Sequence, residues 1–135
     1  MIYLINNHTR IIMNDNLIVE SYLNSSIEDI EMSIGRIVLA SKTTGENGMH
    51  TAWISVTDAK EACDEFIEDI SERLQKRICF DVELSSKKSQ ETLNDNIQIA
   101  LAIAALIKEI SGVVPHLMLA SLLVKRGIEK LCGEK

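Results

Sequence analysis

"RIVLASKTTGENGMHTAWISV" occupies residues 36–56, and its reading sets the fold class. Two runs rich in β-branched side chains, Arg36 to Lys42 and Met49 to Val56, flank "TTGENG", whose Asn47 and Gly48 take positive φ at little steric cost. The pattern predicts an antiparallel hairpin closed by a turn of several residues. Upstream, "SSIE" offers a hydroxyl cap at Ser25 or Ser26, with Glu28 or Asp29 three residues on. Ile27, Ile30 and Ile34 then recur at helical spacing, and Gly35 stands where that helix would stop. Short apolar runs separated by Asn-rich breaks fill residues 1–24. They suggest strands turning at Asn6 and Asn7, although "LIVESYL" equally suits the start of a helix.

Downstream of the hairpin, Thr57 or Asp58 suits a helix cap, with Glu61 completing an Asp-x-x-Glu box. Ala59, Ala62, Cys63, Phe66, Ile67, Ile70 and Leu74 follow the i, i+3, i+4, i+7 rule, the clearest helical pattern in the chain. "ICFDVEL" (78–84) alternates strictly, as a half-buried strand does. Two helices finish the chain, about Glu91 to Ser111 and about Pro115 to Leu131. The first is apolar around most of its circumference and is expected to be central. The order strand, helix, strand implies a crossover. The expected fold is therefore α+β in one domain over residues 1–135: a mixed sheet of about four to five strands, packed by the amphipathic crossover helix and the C-terminal helical pair.

Composition narrows the function classes. Apolar residues make up 46% and charged residues 25% of 135 residues, ordinary globular usage. Aromatic content of 4% argues against a base-stacking platform. Lys and Arg form only sparse doublets, at 76–77, 87–88 and 125–126, which disfavours nucleic-acid binding. The longest apolar run, Ile99 to Ile107, is far short of the roughly 20 residues a membrane crossing needs. Cys63, Cys79 and Cys132 form no Cys-x-x-Cys pair and lie near no His at ligand spacing, so neither a disulfide framework nor a zinc site is expected, and a reducing cytoplasm fits best. Cys63 falls on the apolar stripe of its helix, whereas Cys79 falls on the polar side of its strand and is the thiol expected to be accessible.

The charge is unevenly placed. "DAKEACDEFIEDISE" (58–72) holds seven acidic residues and one basic, a net −6 that equals the charge of the whole chain. Carboxylates gather toward the N-terminal part of this helix and Arg73, Lys76 and Arg77 toward its C-terminal end, as the helix dipole prefers. One reading is therefore a solvated face that suits its own dipole. The sharper reading is a docking face for a cationic surface, with Glu28, Asp29 and Glu31 extending it if the fold brings them near. A divalent-cation site is disfavoured, because one straight helix sets its carboxylates along a line.

The function expected from charge and size is that of a non-enzymatic, cytoplasmic interaction protein without cofactor or metal. In its most concrete form it is an inhibitor of the immunity or antitoxin kind that covers the basic surface of a nuclease or other nucleic-acid-binding protein. Its partner-binding residues would be Glu61, Asp64, Glu65, Glu68, Asp69 and Glu72, competing with phosphates for the partner's Lys and Arg. A rival is an enzymatic or small-molecule-binding domain whose pocket gathers distant residues such as His50, Asp81, Glu83 or His116. A third is a structural subunit that self-associates through the apolar C-terminal helices.

Overall fold

The computed structural model describes residues 15–42, 54–80 and 93–133. Helical segments follow one another through all three: α1 (15–23), α2 (Ile27–Lys42), α3 (Val56–Ile78), α4 (Leu93–Ile107), α5 (His116–Arg126) and α6 (Ile128–Cys132). No strand occurs among the described residues, so the expected α+β fold with its mixed sheet is overturned. The first predicted hairpin strand, Arg36 to Lys42, is the second half of α2. Of the second, Ile54 and Ser55 are non-helical and Val56 opens α3, while Met49 to Trp53 and the turn "TTGENG" lie outside the described residues. "ICFDVEL" begins as the end of α3: Ile78 closes the helix and Cys79 caps it, with residues 81–84 outside the described set. "LIVESYL" is helical, and residues 1–14 are outside.

The hairpin reading failed at Gly35. This glycine lies inside α2 because α2 crosses α3 there: a Cβ at position 35 would collide with the Ala59 backbone carbonyl. The backbone entropy cost of a mid-helix glycine, about 1 kcal/mol against alanine, is offset by the close approach it permits. Past that point Ile34 and Val38 continue the buried stripe begun by Ile30, so tertiary packing overrides the β preference of the branched residues.

The helix starts follow simple capping chemistry. The Ser26 hydroxyl accepts the Asp29 N–H at 3.0 Å, and the Ser55 hydroxyl accepts the Asp58 N–H at 3.0 Å, so the cap of α3 falls on Ser55 instead of Thr57 or Asp58. Pro115 takes the cap position of α5, one residue before the helix proper. Gly112, at φ +63°, turns the chain between α4 and α5.

Helices α2 and α3 run antiparallel. Leu39 shares a cleft with Ile54 and Asp58, Gly35 meets Ala59, and Glu31 and Asp64 reach a common partner. Contacts of α2 with α3, α3 with α4, α4 with α5 and α5 with α2 close a ring, the arrangement of a four-helix bundle. Val19 and Leu23 of α1 and Ile128 of α6 join the same buried cluster. The central helix is α5, in which every residue from Met118 to Val124 is buried. The expected centre, α4, leaves Ala102 and Ala105 exposed. Ser121, inside α5, satisfies its hydroxyl by donating to the Leu117 carbonyl at 2.8 Å.

Three helix C-termini receive side chains from elsewhere in the fold. Lys125 Nζ donates to the Leu23 carbonyl of α1 at 2.8 Å, Arg77 Nη1 to the Leu106 carbonyl of α4 at 3.2 Å, and Gln75 Nε2 to the Leu131 carbonyl of α6 at 3.1 Å. Each satisfies a carbonyl that its own helix leaves without a partner, and the two cations also suit the negative end of the dipole.

Candidate functional site

Helix α3 buries Ala59, Ala62, Cys63, Ile67, Ile70 and Leu74 and half-buries Phe66, the stripe its periodicity predicts, and it also buries Ile78, which the alternation at 78–84 places on a strand. Its other side therefore faces water. Glu61, Asp64, Glu65, Glu68, Asp69 and Glu72 are all exposed there. They are not equivalent. Asp64 lies 3.1 Å from the Arg126 guanidinium, and Glu72 lies 3.8 Å from Lys76 one turn on. Glu61, Glu65, Glu68 and Asp69 have no ion-pair partner among the described residues. The four occupy successive turns, so i, i+3 and i, i+4 neighbours repel.

The second acidic cluster splits. Glu28 pairs with Lys60 of α3 at 3.8 Å, Asp29 stays exposed at the start of α2, and Glu31 turns inward to Arg126 at 2.7 Å. Arg126 thus ties α5 to both α2 and α3. Its side chain is 26% exposed and that of Glu31 14%, whereas Asp64 remains 67% exposed. Burial alone would lower the Arg126 pKa, but the hydrogen bonds and charges of Glu31 and Asp64 outweigh it and hold the guanidinium above its ordinary value. Sequence inspection missed this node: Arg126 figured only as half of a sparse basic doublet, and nothing local marks Glu31, Asp64 and Arg126 as neighbours.

A cleft of about 550 Å³ opens beside the node, between Ile27, Glu31, Asp64 and Ile67 on one wall and Gly127, Lys130 and Leu131 on the other. Cys63, under the node, is fully buried. Burial pushes its thiol up to about 12, with Glu31 and Asp64 adding to the rise and Arg126 opposing it. A thiol held protonated in this way is no nucleophile at neutral pH. Of the residues invoked for a catalytic or ligand pocket, His116 is half-buried in the first turn of α5, while His50, Asp81 and Glu83 lie outside the described residues.

Cys79 is not the free thiol that its place on a strand implied. It is bonded to Cys132, with Cα atoms 5.4 Å apart and a sequence separation of 53. The fold lays α6 against the end of α3, a juxtaposition that local cysteine spacing does not encode. Among the described residues, no three His, Cys, Asp or Glu side chains are grouped to hold a metal ion. No helix among them is long and apolar enough to cross a membrane. Comparison with protein-family models, with curated proteins and with solved structures finds no match to the chain.

Proposed function

We propose that this protein is a non-enzymatic interaction protein that engages a basic partner through the outer face of α3, as an inhibitor of the immunity or antitoxin kind that masks a nucleic-acid-binding surface. One observation carries the reading: Glu61, Glu65, Glu68 and Asp69 project from a helix locked in place by its opposite face and find no cation among the described residues. A rigid array of that kind steers a cationic partner and needs little ordering on binding. Asp64 and Glu72 belong to the rim of this face, since Asp64 shares Arg126 with Glu31 and Glu72 lies beside Lys76. A cytoplasmic location remains part of the proposal, but the cysteine pattern no longer supports it, since Cys79 and Cys132 are joined in a disulfide.

The test is a pull-down from extract of the source cells, comparing the wild-type chain with Glu65→Lys/Glu68→Lys. A basic protein captured by the wild type is expected to bind the variant at least about tenfold more weakly, and to be released as ionic strength rises. Equal capture by both chains rejects the acidic face.

Self-association through the C-terminal helices is a second reading, and the fold narrows it to α4. Helix α5 is sealed in the core, whereas α4 exposes Ala102 and Ala105 beside the half-buried Leu101 and Leu106. Sedimentation at low micromolar concentration checks it, and a strictly monomeric species would count against it.

A further inference from the structure

We infer that the Cys79–Cys132 disulfide is a reversible redox-modification site that latches α6 to the end of α3, and that its reduction releases α6 and opens the cleft beside Arg126. The first observation is how little else holds α6. The helix has five residues, Ile128–Cys132, and no side-chain cap at its start. So short a helix does not persist alone in water. Gly127 sets it off from α5: its N–H still closes the last turn onto Leu123 and Val124, but its φ of +105° is not helical, so the helix cannot run on. Of its residues only Ile128 is fully buried; Glu129 and Lys130 are exposed. Beyond Ile128, α6 is tied to the bundle by the partly buried Leu131 and Cys132, which pack against the edge of the core, by the Gln75 hydrogen bond to the Leu131 carbonyl and, covalently, by the disulfide.

The second observation is access. Cys79 and Cys132 line an open cleft of about 250 Å³ with Gln75, Lys76, Phe80 and Leu131. Cys63, by contrast, is sealed in the core. A small dithiol reaches the bond through that cleft. Its thiolate attacks one cysteine sulfur and forms a mixed disulfide, and the other cysteine leaves as a thiolate that takes up a proton. The second thiol of the reagent then attacks the mixed disulfide and releases the remaining cysteine. The dithiol is oxidised to its cyclic disulfide and the protein gains two thiols. The Lys76 ammonium on the cleft wall favours the departing thiolate, although Glu72, 3.8 Å away, offsets part of its charge.

The third observation is what α6 covers. Gly127, Lys130 and Leu131 form one wall of the larger cleft, while Arg126 is anchored independently by Glu31 and Asp64. Releasing the latch therefore removes that wall and uncovers Ile67 and Leu131 without dismantling the node. Exchange with a small disulfide such as oxidised glutathione runs the same steps in reverse: it re-forms the Cys79–Cys132 bond, and the small disulfide leaves as two thiols.

Hydrogen exchange by mass spectrometry, combined with iodoacetamide labelling, tests the latch on the full chain with and without excess dithiothreitol. The expected result is labelling of Cys79 and Cys132 but not Cys63, at least about tenfold faster exchange in 128–132, and α3 and α5 protected as before. The Cys79→Ser/Cys132→Ser variant is expected to show the reduced pattern with or without dithiothreitol. Four outcomes overturn the inference: free thiols in the protein isolated without reductant, unchanged exchange in 128–132, faster exchange spread across α3 and α5, or a double variant that does not fold. The last two would make the bond a staple of the whole fold.

Discussion

Asp64 and Glu65 are neighbours on α3, yet the Asp64 carboxylate lies 3.1 Å from the Arg126 guanidinium whereas Glu65 has no cation within ion-pair reach among the described residues. The molecule does not lack cations. Lys125 and Arg77 are directed to the carbonyl ends of α1 and α4, and Arg126 to the junction of three helices. These three positive side chains help close the fold, and Glu61, Glu65, Glu68 and Asp69 have no ion-pair partner among the described residues. A surplus on the outer face thus reflects where the cations are used, and its availability to a partner costs the fold little.

The contrast between inner and outer carboxylates depends first on α2 and α3 lying close enough for Glu31 and Asp64 to share one guanidinium. Gly35→Ala breaks that approach, and urea unfolding is expected to show a loss of about 3 kcal/mol, since the colliding atoms are backbone. A loss under about 1 kcal/mol would mean that the helices part easily. Arg126→Met leaves the half-buried Glu31 carboxylate without its cation, and an unfolding loss of about 2 kcal/mol is expected.

Cys63 sharpens the contrast through pH. Its folded pKa is raised above the ordinary thiol value of 9.0 to about 12. The contribution of a raised group is fully present below the unfolded value and declines above it, as the unfolded chain loses a proton that the folded chain keeps. Stability is therefore expected to fall from about pH 9 upward, by at most about 1.4 kcal/mol per pH unit. Cys63→Ala is expected to show a shallower slope over the same window in pH-dependent unfolding; equal slopes would assign the decline to other groups.

The smallest effect belongs to the outer face. Glu65→Gln/Glu68→Gln removes like-charge neighbours and is expected to stabilise the chain by about 0.5 kcal/mol at low salt, with the gain disappearing at high salt. Asp64→Asn, one residue away, is expected to move stability in the opposite direction. If both variants destabilise equally, the distinction between the two sets of carboxylates fails.

Local patterns in the chain were legible where one element settles its own fate. The buried face of α3 can be listed from its spacing, and its acidic face follows as the complement. The caps at Ser26 and Ser55 come from short-range hydroxyl chemistry, with the second displaced by two residues from Thr57. "RIVLASK" misled because β-branched residues and a preceding glycine describe a strand after a helix stop as well as they describe a buried helix crossing another. What separates the two is Ala59, whose backbone occupies the space a side chain at Gly35 would need. Alternation at 78–80 misled similarly: Ile78 is buried as the last turn of α3, and Phe80 is exposed beyond the cap.

The sequence by itself determined the amphipathic character of α3, the placement of its charge and the Ser26 cap, because these depend on residues three or four apart on one helix. Only the tertiary structure decided that α2 runs through Gly35, that α5 and not α4 is the centre, that Cys79 meets Cys132, and that Asp64 is matched while Glu65 is not. Those outcomes rest on contacts between residues 24 to 95 positions apart, such as Gly35 with Ala59 and Glu31 with Arg126, and no local period encodes them.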